Sequence, residues 1–232
     1  MINFHQRNYH KELIDADNIP FADIAQNLKE LNFINTWLGG HAITIEGVKQ
    51  LFLPNKKQTI CEIGCGGGDN LYAIYRWCKK KNIQADFIGI DMKAECIEFA
   101  KQQYSELPCQ WVCSDYQQIE FKENRPSIIF SSLFCHHFTD KQLTQMFFWL
   151  KQNSKTGFFI NDLQRHWLAY YLIKWLSKFF SKSYLLKNDA PLSVSRGFTR
   201  KEIKSLLNEA GIKSYSLKWK WAFRWLIIVN NE

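Results

Sequence analysis

Short runs of uninterrupted apolar residues, alternating with stretches of helical spacing, set the plan of this chain. From Phe21 the apolar positions Ile24, Leu28, Leu31, Ile34, Trp37 and Leu38 recur as one helix face, which Gly39-Gly40 stops. A second helical pattern runs over 43–52 and ends before Pro54. Five apolar runs then read as strands, at 59–63, 87–90, 109–113, 127–131 and 157–162, with helical patterns at 69–81, 93–104 and 143–150 between them. Strands apolar through their length and alternating with helices build a parallel sheet covered on both faces. Right-handed crossovers then gather the strands' C-terminal ends on one rim, so Glu62, Asp91, Asp115, Ser131-Ser132 and Asp162 fall together.

Further on, 162–180 predicts one long helix, aromatic on most sides. Thr199-Arg200-Lys201-Glu202 is a capping box for a helix that Gly211 closes. Tyr215, Leu217, Trp219, Trp221 and Phe223 alternate with smaller or polar residues, and 226–229 is a last apolar strand. So few residues separate these two strands that they must pair as an antiparallel hairpin. The expectation is a single α/β domain: three layers around a mostly parallel sheet over 58–232, with 1–57 as an N-terminal helical cap that helps close a pocket.

The stretch Glu62-Ile63-Gly64-Cys65-Gly66-Gly67-Gly68-Asp69 sits where the first strand gives way to a helix. Glycines there let a ligand approach the backbone closely, and the amides opening the helix carry partial positive charge. A nucleotide-like ligand at the carboxyl end of the first strand is the natural occupant.

Composition narrows this picture. Apolar residues make up 46% of the 232, including 18 Phe, 9 Trp and 9 Tyr, which supports a large core and argues against disorder. No apolar run is long enough to span a bilayer, and no basic-apolar-small leader opens the chain at Met1, so a soluble, cytoplasmic protein is expected. The seven cysteines are read as free thiols; Cys61/Cys65 and Cys109/Cys113 as zinc half-sites would put one cysteine inside a strand and another inside the glycine loop, and no metal is expected. Net charge is +8, but residues 151–232 alone carry 15 basic and 5 acidic groups. A basic third of this kind serves RNA, an anionic membrane surface or an acidic substrate, or is a solvated face.

With three acidic motifs on one rim, the sequence resembles the class I S-adenosylmethionine-dependent methyltransferases over about residues 58–232. Their first motif, acid-x-Gly-x-Gly-x-Gly, is matched by Glu62, Gly64, Gly66 and Gly68, with Cys65 between the first two glycines. The resemblance implies that Asp91 takes the ribose hydroxyls, that Asp115 flanks the adenine with Met92 and Tyr116 beside the ring, and that Ser131 lies where the fold closes over the cofactor. It also implies a seven-stranded sheet. A dinucleotide-binding oxidoreductase is the main confusable fold; its G-x-G-x-x-G spacing with an acid about 20 residues on differs from the G-x-G-x-G here, with Asp91 27 residues beyond Gly64. The slot after the fourth strand reads Ser-Ser-Leu-Phe and lacks the proline pair of DNA amino methyltransferases, so DNA is not an expected substrate. The stretches Leu31–Gly40 and Asn161–His166 are similar to bacterial quinone, polyketide and phenol methyltransferases, which implies a small, aromatic or lipid-like acceptor methylated on oxygen or carbon. An RNA methyltransferase and a non-catalytic subunit of the same fold are the alternatives.

Methyl transfer to a hydroxyl needs a base near the acceptor. Asp162 and His166, four apart at a helix start, share one face, so Asp162 either orients His166 as that base or caps the helix. His137 follows the fourth strand by several residues and is a further catalytic candidate on the acceptor side, unless it and His136 pack the loop; Arg165 binds an anion or is solvated. The basic stripe Lys174, Lys178, Lys182 beside the aromatic residues of 167–180 marks a core or dimer helix, a lid, or a surface for anionic lipid.

Overall fold

The computed structural model describes residues 3–54 and 56–231; Met1, the start of the leader reading, lies outside them. Helices α1 (Phe21–Trp37) and α2 (Gly40–Leu51) precede the sheet. Strands β1 (Gln58–Ile63), β2 (Ala85–Asp91), β3 (Cys109–Cys113), β4 (Ile128–Ser132) and β5 (Gly157–Leu163) alternate with α3 (Asp69–Lys80), α4 (Ala94–Gln103) and α5 (Asp140–Asn153). After β5 come α6 (Trp167–Phe180), α7 (Tyr184–Arg196) and α8 (Arg200–Glu209), then β6 (Ser216–Lys220) and β7 (Arg224–Asn230).

The seven strands lie in the order β3-β2-β1-β4-β5-β7-β6. The first five are parallel: Ile60 pairs with Phe87 on one side and Ile128 on the other. β7 enters antiparallel, with Asp162 opposite Trp225, and β6 pairs with β7 as the hairpin expected. Strand order reverses between β1 and β4, and such switch points open a crevice at the strands' carboxyl ends.

Alternation along the strands divides the core in two. Ile60, Phe130, Phe159, Leu226 and Ile228 face α2, α3 and α4; Phe130 and Phe159 stack at 4.8 Å. Ile63, Ile129, Phe158, Ile160 and Ile227 face α5 and α8. Both layers fully bury large side chains, so substitution to alanine at Phe130 or Phe158 would open a cavity costing about 3–5 kcal/mol.

Two elements depart from the sequence reading. The helix expected over 162–180 begins only at Trp167, because Asp162 and Leu163 complete β5 by pairing with Trp225 and Arg224. Helix α7 was not legible: Pro191 stands inside it and Lys187-Asn188-Asp189 interrupts its apolar spacing. Tertiary contacts hold it instead, through buried Leu185, Leu186 and Val194 and through the Asp189 carboxylate, which accepts the amides of Leu13 and Ile14. The Thr199–Glu202 capping box forms as read, and Thr139–Gln142 makes a second.

Candidate active site

The loop after β1 is shaped by glycine. Gly64 and Gly68 have φ of +63° and +79°, and a Cβ would lie 2.2 Å from the Phe134 ring at Gly64 and 2.5 Å from Trp111 at Gly68. The Cys65 amide donates to the Ile90 carbonyl at 3.0 Å, and the Gly66 amide donates to Asp91 Oδ2 at 2.8 Å. Asp91 Oδ1 accepts the Lys93 amide at 2.9 Å. Its carboxyl is nevertheless raised above the usual range, because burial outweighs these two donors. The N-terminal part of the chain covers this loop: a Leu28 methyl lies 3.7 Å from the position of a Gly66 Cβ, and Lys93 Nζ donates to the Ala16 carbonyl at 2.7 Å.

The remaining residues expected here divide. Met92 is exposed beside Asp91, and Asp115 accepts the Gln117 amide at the cap of a short turn. Tyr116, expected beside the adenine, is instead a core residue whose ring meets Phe134, Phe138 and Trp149 edge-on. Ser131 is fully buried, with its hydroxyl 3.2 Å from Cys135 Sγ.

A buried polar cluster extends from the loop along the α2–α3 face. Glu62 accepts from Asn70 at 3.2 Å; burial, then the charge of Asp69, pushes its carboxyl well up. Asn70 accepts from Thr44, to which Asn161 also donates. Asp69 binds His41 Nε2 at 2.7 Å and Asn35 at 3.0 Å; although burial pushes Asp69 up, the His41 contact holds it below the usual range. Arg224, on β7, donates to Asn35 at 2.8 Å, and its burial lowers the guanidinium to about 10. Among the described residues Glu62 Oε2, Asn161 Oδ1 and Arg224 Nη1 are buried with no hydrogen-bond partner in the protein.

On the opposite face the chain builds a histidine centre. Asp162 Oδ1 lies 2.8 Å from His136 Nδ1, and Oδ2 accepts the His136 amide at 3.3 Å. Glu12, from the N-terminal segment, places Oε1 3.5 Å from His136 Nε2 and Oε2 3.6 Å from His137 Nε2; His137 Nδ1 is 3.4 Å from Asp15. Burial alone would lower His136, but the charge and hydrogen bond of Asp162, with Glu12 adding, raise it to about 9. The backbone oxygen of His136 accepts from Arg7 and Arg196, fixing the turn that carries the ring. Glu12, His136 and His137 are also the set whose ligand atoms all lie within 4.8 Å, a donor set suited to a divalent cation. A protonated His136 held between two carboxylates accounts for the same geometry. Cysteines are absent from that set, and all seven are free thiols.

This centre corrects the pairing of Asp162 with His166. Asp162 is a strand residue aimed at His136, while His166 caps α6, accepting the Leu168 amide at 3.2 Å, and stacks on Phe223. Arg165 is neither solvated nor open to an anion: it is buried and donates to Phe4, Gly197 and Glu202. The sequence places His137 on the acceptor side, whereas the residue that Asp162 contacts is its neighbour His136. Glu12, in an irregular lead-in, and Arg224, inside a strand, have no motif; Asn35 and Asn161 lie in the stretches of family resemblance, which assign them no role.

Residues 60–157 match the family described as "Methyltransferase domain". These residues, less than half of the chain, carry a methyltransferase domain. The chain is 31% identical over 128 residues to phosphoethanolamine N-methyltransferase 3 of Arabidopsis thaliana, covering 53% of this chain and 24% of the relative. It is 34% identical over 77 residues to malonyl-[acyl-carrier protein] O-methyltransferase of Anoxybacillus flavithermus, covering 33% of this chain and 28% of the relative. The matched stretch is thus about a quarter of each curated relative. A plantazolicin methyltransferase in complex with SAH has the same fold, with a TM-score of 0.66 at 19% identity over 91% of this chain and 89% of its own. Human N-acetylserotonin methyltransferase with SAM gives 0.65 at 13% identity, over 91% and 56%. The seven-stranded sheet with its antiparallel end is that of this methyltransferase class, as the sequence implied.

The polar atoms left over fit the cofactor of the class. Two orphaned acceptors, Glu62 Oε2 and Asn161 Oδ1, and one orphaned donor, Arg224 Nη1, complement the ammonium and carboxylate of an amino-acid end such as that of S-adenosylmethionine.

Proposed function

We infer that the chain moves a methyl group from S-adenosylmethionine to the hydroxyl of a small, aromatic or lipid-like acceptor, with His136 as the base. The pairing of His136 with Asp162 beside the ends of β4 and β5 carries this reading. Bound in the glycine cradle, the cofactor supplies an electrophilic methyl on a sulfonium sulfur. Asp91 would hold its ribose, and Glu62, Asn161 and Arg224 its amino-acid end. Asp162 orients the His136 ring through Nδ1, so that Nε2 is the atom that takes the acceptor's proton. His136 is only 2% exposed, lying under Glu12 and the segment around it. That enclosure suits a molecule that can be surrounded; a polymer needs an open groove.

The pH profile tests the base directly. His136 is charged below about 9 and must be neutral to accept a proton, so kcat/KM is expected to rise with pH up to about 9. Stability moves the other way. The charged ring's partnership is fully present below the unfolded value of 6.5 and is lost as pH rises through about 9, so Tm is expected to fall across the interval in which rate rises. A flat rate profile from pH 6.5 to 9 would remove His136 from the role.

A panel of phenols, quinols and carboxylic acids, assayed for label transferred from S-adenosylmethionine, tests the acceptor class. Transfer to one of these is expected; transfer to RNA alone, falling steeply with salt, would overturn the small-acceptor reading. EDTA is expected to leave the rate unchanged, because Glu12 and the two histidines act here as a charge cluster. Loss of rate on chelation, restored by a divalent cation, would assign them to metal instead.

A further inference from the structure

We propose that the outer face of α6 docks the protein on an anionic bilayer. The helix buries only one side: Ala169, Tyr170 and Ser177 are covered, with Ile173 half-buried between them. Leu168, Tyr171, Leu172, Trp175, Leu176 and Phe179 are exposed on the other side, Trp175 at 59% and Phe179 at 65%. Large apolar side chains gathered on one helix face in this way mark a surface that meets a partner. Among the described residues no helix is long and apolar enough to cross a membrane, so the geometry is that of a helix lying in the interface plane.

Charge identifies the partner. At about 100° per residue, Lys174 and Lys178 fall along one flank of the aromatic arc, between its exposed and its buried sides, and Lys182 follows just past the helix end. All three are exposed, and Lys187 continues the series in α7. No Asp or Glu occurs between Asp162 and Asp189. Glu30, across the helix end, is occupied by the Ser181 hydroxyl and by the amides of Lys182 and Ser183. Lysines on such a flank reach lipid phosphates while the aromatic rings enter the acyl boundary. A second copy of this chain would bring a second row of lysines to the same face, which favours an anionic lipid surface over self-association.

The apolar surface continues toward the rim of the sheet. Trp167 stacks on His166, His166 on Phe223, and Phe223 meets the exposed Trp219 edge-on. A docked bilayer would therefore lie beside the strand ends that carry Asp162.

Sedimentation with sucrose-loaded vesicles, without cofactor or acceptor, tests docking independently of methyl transfer. Binding to phosphatidylcholine vesicles containing phosphatidylglycerol is expected, with weak binding to phosphatidylcholine alone. Replacing Lys174, Lys178 and Lys182 together by glutamine should weaken it about a hundredfold, and Trp175→Ser with Phe179→Ser should abolish it. These side chains are exposed, so Tm should be unaltered by either set, and brominated lipids should quench tryptophan fluorescence in the unaltered protein only. Equal binding to both vesicle types, or no binding to either, overturns the proposal. So does a dimer in sedimentation velocity that Trp175→Ser with Phe179→Ser dissolves.

Discussion

Replacing His136 by asparagine is expected to lower kcat by about 10²–10⁴-fold while leaving the affinity for S-adenosylmethionine within about twofold. The ring is held on one nitrogen by Asp162 and approached on the other by Glu12, so its loss removes the proposed base without touching the glycine cradle. Asparagine keeps a donor for Asp162 near the original position, which limits the cost of leaving a buried carboxylate unpaired. Asp162→Asn should lower the rate as well and move the rising limb of the pH profile to lower pH, because the carboxylate is the main reason His136 stays charged to about 9. His166→Asn, by contrast, should leave the rate within a few-fold, since His166 serves as a cap and a stacking partner. Equal losses at His136 and His166, or none at His136, would refute the assignment; single-turnover measurement with the panel's best acceptor separates chemistry from binding.

Asp91→Ala is expected to weaken S-adenosylmethionine binding by about 10²–10⁴-fold in calorimetry, the loss of two hydrogen bonds to a charged group at about 1.5–3 kcal/mol each. In the structure that carboxylate accepts the amides of Gly66 and Lys93. The substitution therefore also releases the loop from β2, and Asp91→Asn is the informative companion. It retains one acceptor oxygen, and affinity should fall between the two. Retained affinity in Asp91→Ala would mean that the cofactor's ribose lies elsewhere.

The two sites were unequally visible in the chain. Glu62, Gly64, Gly66, Gly68 and Asp91 are close in sequence or end consecutive strands, so alternation and spacing alone gather them. The strand plan followed from the same logic: apolar runs between helical segments leave few ways to pair. His136 and Asp162 were both noticed, yet they were not joined. Their contact depends on β5 continuing through Leu163, which the antiparallel partner β7 imposes from far along the chain. Glu12, Arg7 and Arg224 have no local pattern; long-range contacts place them, and burial makes them matter. Tyr116 shows the converse. A residue at the right place in a motif can be claimed by the core when Phe134, Phe138 and Trp149 surround it.

The N-terminal segment has a kinetic consequence. One stretch of chain reaches the cofactor strand through Ala16 and Lys93, and the histidine centre through Glu12. Arg7 fastens its start to Asp140 and to the carbonyls of His136, Phe138 and Arg196. With His136 as the proposed base, an acceptor would wait for that strap to lift, and product would wait for it again. Turnover cannot outrun the strap. Acceptors of very different intrinsic reactivity should therefore converge on one limiting rate.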